Sequence, residues 1–284
     1  MRKIVIALVT VLFFGCSSEN QFTIEGTIDG AEEGQWIYLK ERKVDEATVI
    51  DSTRTSKQGA FKFRREVEYP GFFDVSTGDH FVTLLIKPGE DIRFQTRADQ
   101  FYDYTVKGSP GSQQVKVLDH RLRKTKSRLD SLARKYRQIE GQVTPDELEK
   151  INEAYRSVLN RQRDSSVAFI VNNLGSLASI VALYQKVNED LFVLYKNTDL
   201  QYIKLVADSL QAKYPRSEHV KALVANKEDL MARYRNLELQ NTLSRFGEVS
   251  TYPEIELPNL QGDTISLKEL DDKMILVSFW ASWS

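Results

Sequence analysis

Apolar and polar positions follow two different periods along the chain. From Gln21 to about Gly108 the repeat is two. Phe22, Ile24, Gly26 and Ile28 alternate with polar neighbours, and Trp36-Ile37-Tyr38-Leu39 is a short β-prone run. Lys57-Gln58-Gly59 reads as a turn into Phe61 and Phe63, with Lys62 on the opposite face. Phe72 to Ser76, Phe81 to Ile86, Ile92 to Gln95 and Tyr102 to Val106 continue the series, and Pro88-Gly89-Glu90 marks a tight turn. Seven or so short strands at this spacing predict a small antiparallel sandwich or barrel-like domain over 21–110.

Gly108-Ser109-Pro110-Gly111 breaks the pattern, and the period then lengthens. Val115, Leu118, Leu122, Leu129, Leu132, Tyr136 and Ile139 form a heptad-like stripe, interrupted at Thr125 and stopped at Gly141. Thr144-Pro145-Asp146-Glu147 supplies an N-cap, a proline in the first turn and a capping-box glutamate. The helix that follows carries Leu148, Ile151, Tyr155, Val158 and Phe169, up to Asn172-Asn173-Leu174-Gly175. Shorter helices are predicted over Leu177–Gln185, Asp190–Tyr195, Asp199–Lys213 and Glu218–Gln240. The first two long helices form an αα-hairpin whose stripes face each other, with self-association through the heptads as the alternative use. A helical region thus spans 111–247, and the fold class is α+β.

Residues 248–284 change character again. Tyr252 to Leu267 reads as a hairpin around Gln261-Gly262-Asp263, and Met274 to Trp280 is an apolar strand ahead of Ala281-Ser282-Trp283-Ser284. At the other end, Arg2 and Lys3 precede an apolar run from Ile4 to Phe14 that ends in Gly15-Cys16. That run is about half the ~20 residues a membrane-spanning helix needs. A basic start, a short apolar stretch and a small residue before the cut describe a signal peptide over 1–15.

Cys16 is the only cysteine, and its setting resembles the lipobox of bacterial lipoproteins. The resemblance implies cleavage before Cys16, diacylation of its thiol and a short anchor linker over 16–20. Ser17 implies retention in the outer membrane, with the chain facing the periplasm. Two acyl chains, at ~0.8 kcal/mol per buried methylene, hold a protein stably where one is marginal. The expected partner on this side is therefore the membrane, through the lipid.

Composition adds exclusions. The 284 residues are 41% hydrophobic and 28% charged with a formal net charge of −1, so no overall field recruits nucleic acid. The first long helix is nevertheless basic, with Arg121, Arg123, Lys124, Lys126, Arg128, Arg134, Lys135 and Arg137. Without interleaved aromatics this reads as a solvated face, with anionic lipid headgroups as the alternative contact. His80 beside Asp79, and the separate His120 and His219, offer no second ligand at metal spacing. Glycine-loop, dinucleotide, HExxH and GxSxG motifs are absent, so no cofactor and no metal are expected.

The final segment resembles the opening of a thioredoxin-like module of the membrane-anchored thiol–disulfide oxidoreductase and thiol-specific antioxidant family. Pro253 to Leu267 match that family's lead-in, and Val277 to Trp283 match the strand before its CxxC. The order of lipobox, β-rich domain, helical spacer and thioredoxin start also resembles envelope lipoproteins that carry a β-domain of unknown function. Trp280, Ala281, Trp283 and Ser284 fall on the active-site motif, with Ser284 where the family places its nucleophilic cysteine. A serine hydroxyl cannot form the mixed disulfide, and no resolving thiol is present. The expectation is therefore a non-catalytic binding or accessory lipoprotein with no catalytic residue. The alternatives are a fragment of a longer thioredoxin-like oxidoreductase and a scaffold lipoprotein assembled through the heptad helix.

Overall fold

A computed structural model describes residues 20–78, 80–139, 144–247, 255–259 and 261–266. Two compact units divide at Asp229/Leu230. The first holds the strands β1 (Gln21–Asp29), β2 (Trp36–Arg42), β3 (Ala47–Arg54), β4 (Ala60–Glu66), β5 (Gly71–Thr77), β6 (His80–Ile86), β7 (Asp91–Arg97) and β8 (Thr105–Lys107). It also holds the helices α1 (Pro110–Ile139), α2 (Pro145–Asn172), α3 (Ala178–Tyr184), α4 (Leu200–Lys213) and the start of α5 (Glu218–Gly247). The α+β class is as expected.

The strands build two open sheets, ordered β4-β1-β7-β8 and β3-β2-β5-β6, and they do not close into a barrel. Alternation does the work: Phe22, Ile24 and Ile28 of β1, Phe63 of β4 and Phe94 of β7 meet Ile37, Leu39, Phe73, Val75 and Leu84 of the other sheet in one core. The rings of Phe22 and Phe73 join the two inner faces at 5.3 Å. At Gly26 the Phe61 ring lies where a Cβ would stand, so a side chain there would have to displace that ring.

The expectation of an antiparallel domain needs one correction: β1 and β7 run parallel, with Ile24 opposite Ile92 and Gly26 opposite Phe94. The turn at Gly89 explains it. Gly89 N donates to Gln21 O (3.1 Å) and Thr23 N to Glu90 O (3.0 Å), so β7 enters the sheet at the end where β1 begins. The strand β3 is an addition. It is an edge strand with little burial, so it lacks the apolar alternation that reveals its neighbours.

The outer face of β5 and β6 is covered at one end. Phe72 and Leu85 share a second core with Val115 and Leu118 of α1, Ile170 of α2, Leu183 of α3, Leu210 of α4 and Leu223 of α5. The change of period near residue 110 is thus a change of secondary structure inside one packed body. Ser109 and Ser112 tie the junction, both donating to the Leu85 carbonyl (2.9 and 3.0 Å). Those hydroxyls occupy an acceptor on the sheet-edge strand β6.

The capping box forms as read: Thr144 Oγ1 accepts from Glu147 N (3.3 Å) and Glu147 Oε2 from Thr144 N (3.1 Å). That hydrogen bond from Thr144 N also holds the Glu147 carboxyl below the usual range. The interruption of the heptad stripe is filled within the chain, since buried Thr125 donates to Gln162 Oε1 of α2 at 2.8 Å. The helix expected over Asp190–Tyr195 is absent. Asn188 Oδ1 accepts from Asp190 N (3.1 Å) and Leu191 N (2.8 Å), and Lys186 bridges to Phe192. An asparagine side chain that caps its own backbone in this way competes with helix formation.

The second unit, described by itself, contains the expected hairpin: β9 (Glu256–Pro258) pairs antiparallel with β10 (Thr264–Ser266). Gly262 turns it with φ at 91°, and Asn259 Oδ1 accepts from Gln261 N and Asp263 N, each at 2.9 Å.

Candidate functional site

The strand β2 places Ile37 and Leu39 in the core, so Trp36, Tyr38, Lys40 and Arg42 stand on the opposite face. Register then assembles that face across four strands. Trp36 lies opposite Arg54, while Ser52, Tyr38, Ser76 and Phe81 form one row. Trp36 stacks on Tyr38 at 6.2 Å, and the Arg54 guanidinium sits 4.4 Å over the Trp36 ring. Trp36 remains 44% exposed and Phe81 43%. Exposed rings with a guanidinium over one of them form a platform that suits ring-faced or mixed apolar–polar partners.

Beneath the platform lies a buried charge. Asp74 accepts from Arg42 Nε (3.1 Å) and Nη2 (2.6 Å), and from Thr83 Oγ1 (2.7 Å). The same guanidinium lies 5.2 Å from the Phe81 ring, so one arginine satisfies the carboxylate and orients an exposed aromatic. Ser76 Oγ, in the row between Tyr38 and Phe81, is buried without a hydrogen-bond partner. Unmatched buried hydroxyls are rare in folded proteins. The other sheet contributes an open groove of about 660 Å³ lined by Glu25, Thr27, Arg54, Ser56, Lys62 and Gln95. Arg54 therefore borders both surfaces. The pattern of β2 carried the signal for this face: two aromatics share the strand parity opposite to its core residues.

Titrating groups sit at the junctions. Burial pushes the Asp119 carboxyl up, opposed by Arg123, and pushes the Tyr104 hydroxyl up further. Tyr104 Oη is buried without a partner, while Arg123 lies 4.2 Å over the neighbouring Tyr102 ring. His80 packs on Phe101 and Tyr102 at 6.2 and 5.7 Å. His219 stands edge-on to Phe72 at 5.0 Å, and burial lowers its imidazole. Among the described residues no group of three or more His, Cys, Asp or Glu side chains is arranged to hold a metal, and no helix is long and apolar enough to cross a membrane.

Cys16, Trp280, Ala281, Trp283 and Ser284, together with Gly141 and Asp79, lie outside the described residues. The eight cations from Arg121 to Arg137 on α1 are exposed as read.

The first unit is thus a two-sheet β-sandwich with helices packed on one outer face and an aromatic–cation platform beside them. Residues 22–115 match the family model of a domain of unknown function (DUF4369), a span that covers the sandwich and the first turns of α1. No curated protein matches the chain.

Proposed function

We propose that this chain is a lipoprotein of the cell envelope, anchored by acylated Cys16 in the outer membrane and facing the periplasm. It is related to the thioredoxin-like oxidoreductases but works as a non-catalytic binding or accessory protein through its sandwich. The observation that carries the binding role is the platform of Trp36, Tyr38, Arg54 and Phe81, left uncovered beside a sheet end that the helices close. Supporting it, the pairing of Arg42 with buried Asp74 spends its geometry on holding an exposed face.

A second reading, part of a longer thioredoxin-like oxidoreductase, draws support from the β9–β10 hairpin, which falls on the lead-in stretch of that resemblance. Assembly through α1 has less in its favour, because Leu118 and Leu129 of the heptad stripe are buried within the chain.

The binding role is tested by placing a photo-crosslinking amino acid at Phe81, at Trp36, or at exposed Leu205 of α4 in envelopes. Adducts of one defined mass from Phe81 and Trp36, absent from Leu205, are the expected result. No adduct from either platform position would overturn it. Reduction of insulin disulfides by this chain would contradict the non-catalytic reading.

A further inference from the structure

The helical hairpin carries a second surface that the platform does not explain. Arg121, Lys124 and Arg128 recur at i, i+3 and i+7 on one side of α1. Arg161 joins them from α2, and together they border an open groove of about 370 Å³. Its floor is polar and built: Thr125 and Gln162 line it and are the buried pair hydrogen-bonded at 2.8 Å. No carboxylate is among the groove's lining residues.

The contrast with nearby cations is informative. Arg156 is paired with Glu149, Arg163 with Asp199 and Lys227 with Asp208. Arg121, Lys124 and Arg128 have no ion pair among the described residues. Like charges three and four residues apart on a helix repel, so this arrangement costs stability when empty. Arginine forks match phosphoryl oxygens in pairs, and a lysine adds a point charge. From Arg121 to Arg128 the helix rises about 10 Å, a span suited to more than one anionic group.

We propose that the groove between α1 and α2 binds a phosphate-bearing anion of at least two negative charges, with the four cations as its ligands over the Thr125–Gln162 floor. A free phosphate compound and a lipid headgroup share this chemistry, and the test separates them.

The full chain, with Cys16→Ser to prevent acylation, is titrated calorimetrically with pyrophosphate in zwitterionic detergent. It is also incubated with phosphatidylcholine vesicles with and without cardiolipin, whose headgroup carries two phosphates. Two triple variants are compared, each with folding checked by circular dichroism. R121Q/K124Q/R128Q empties the groove, and R134Q/K135Q/R137Q removes the same number of charges elsewhere on α1. Saturable pyrophosphate binding, weakened about tenfold or more by the first triple, is expected. The second triple is expected to leave the affinity close to that of the parent. Preference for the anionic vesicles without pyrophosphate saturation, lost only in the first triple, supports the site and assigns a headgroup as its ligand. Equal effects of both triples, no effect of the first, or no binding to either probe would overturn the proposal.

Discussion

The two cores of the first unit are held in register by different means. In the sandwich the cluster between the sheets is apolar and aromatic, with the contact of Arg42 on buried Asp74 confined to the outer face, and the strand positions follow from which side chains face inward. Among the helices, apolar packing is punctuated by buried polar contacts. Thr125 meets Gln162, and Arg163 is bidentate on Asp199, with Nε at 3.1 Å from Oδ2 and Nη2 on Oδ1. Asp199 also accepts from Lys196 N at 3.0 Å, fixing the turn that starts α4. Alternation specifies a sheet face to the residue, whereas a helical stripe tolerates sliding. Directional contacts then set how α1, α2 and α4 align.

Breaking either device tests that contrast. Phe94 is fully buried between the sheets, and Phe94→Ala is expected to destabilise by about 3–5 kcal/mol in denaturant unfolding. Arg163→Ala strands a carboxylate that is 4% exposed and is expected to cost about 3 kcal/mol. Arg163→Met with Asp199→Asn, which leaves no buried charge, is expected to cost less than Arg163→Ala alone. If the double variant is the worse of the two, the ion pair is a net source of stability and not a register device. Thr125→Val, which leaves Gln162 Oε1 unmatched, is expected to cost about 1–2 kcal/mol. Adding Gln162→Leu should recover part of it.

The smallest effects are pH-dependent and opposite in sign. Burial lowers the His219 imidazole from 6.5, outweighing Glu218, the hydrogen bond with the Arg42 backbone and Glu41, all of which raise it; the Arg42 charge adds a smaller lowering. On acidification below 6.5 the unfolded chain takes up the proton first, so this histidine's contribution falls as pH drops through that window. His219→Gln should flatten that part of the stability profile. Asp119 is raised from 3.8. The unfolded chain therefore ionises first as pH rises, and Asp119 weakens the fold at neutral pH. Asp119→Asn is expected to raise the midpoint of urea unfolding at pH 7 and to change it less at pH 4.

The same contrast explains what the sequence made legible. Phe22, Ile24, Phe61 and Phe63 announce their strands because each alternates against polar neighbours, and Thr144-Pro145-Asp146-Glu147 announces its helix end through local hydrogen bonds. The edge strand β3 escapes because Thr48, Val49 and Ser52 bury little. The parallel pairing of β1 with β7 escapes because alternation carries no direction. Asn188 overrides a helix through one side chain. The platform was written into Trp36 and Tyr38, but its partners Arg54, Ser76 and Phe81 join only when β3, β5 and β6 take their registers. Likewise the cations of α1 were visible as residues, while Arg161 and the floor of the groove required the hairpin to close.

The proposed role puts these surfaces at an envelope, so the anchor is the part of the proposal most directly open to measurement. The protein is extracted from native envelopes with detergent, and the peptide containing Cys16 is identified by mass spectrometry. The account predicts a peptide that begins at Cys16 and carries thioether-linked acylglycerol. An unmodified Cys16 still preceded by residues 1–15 would contradict it.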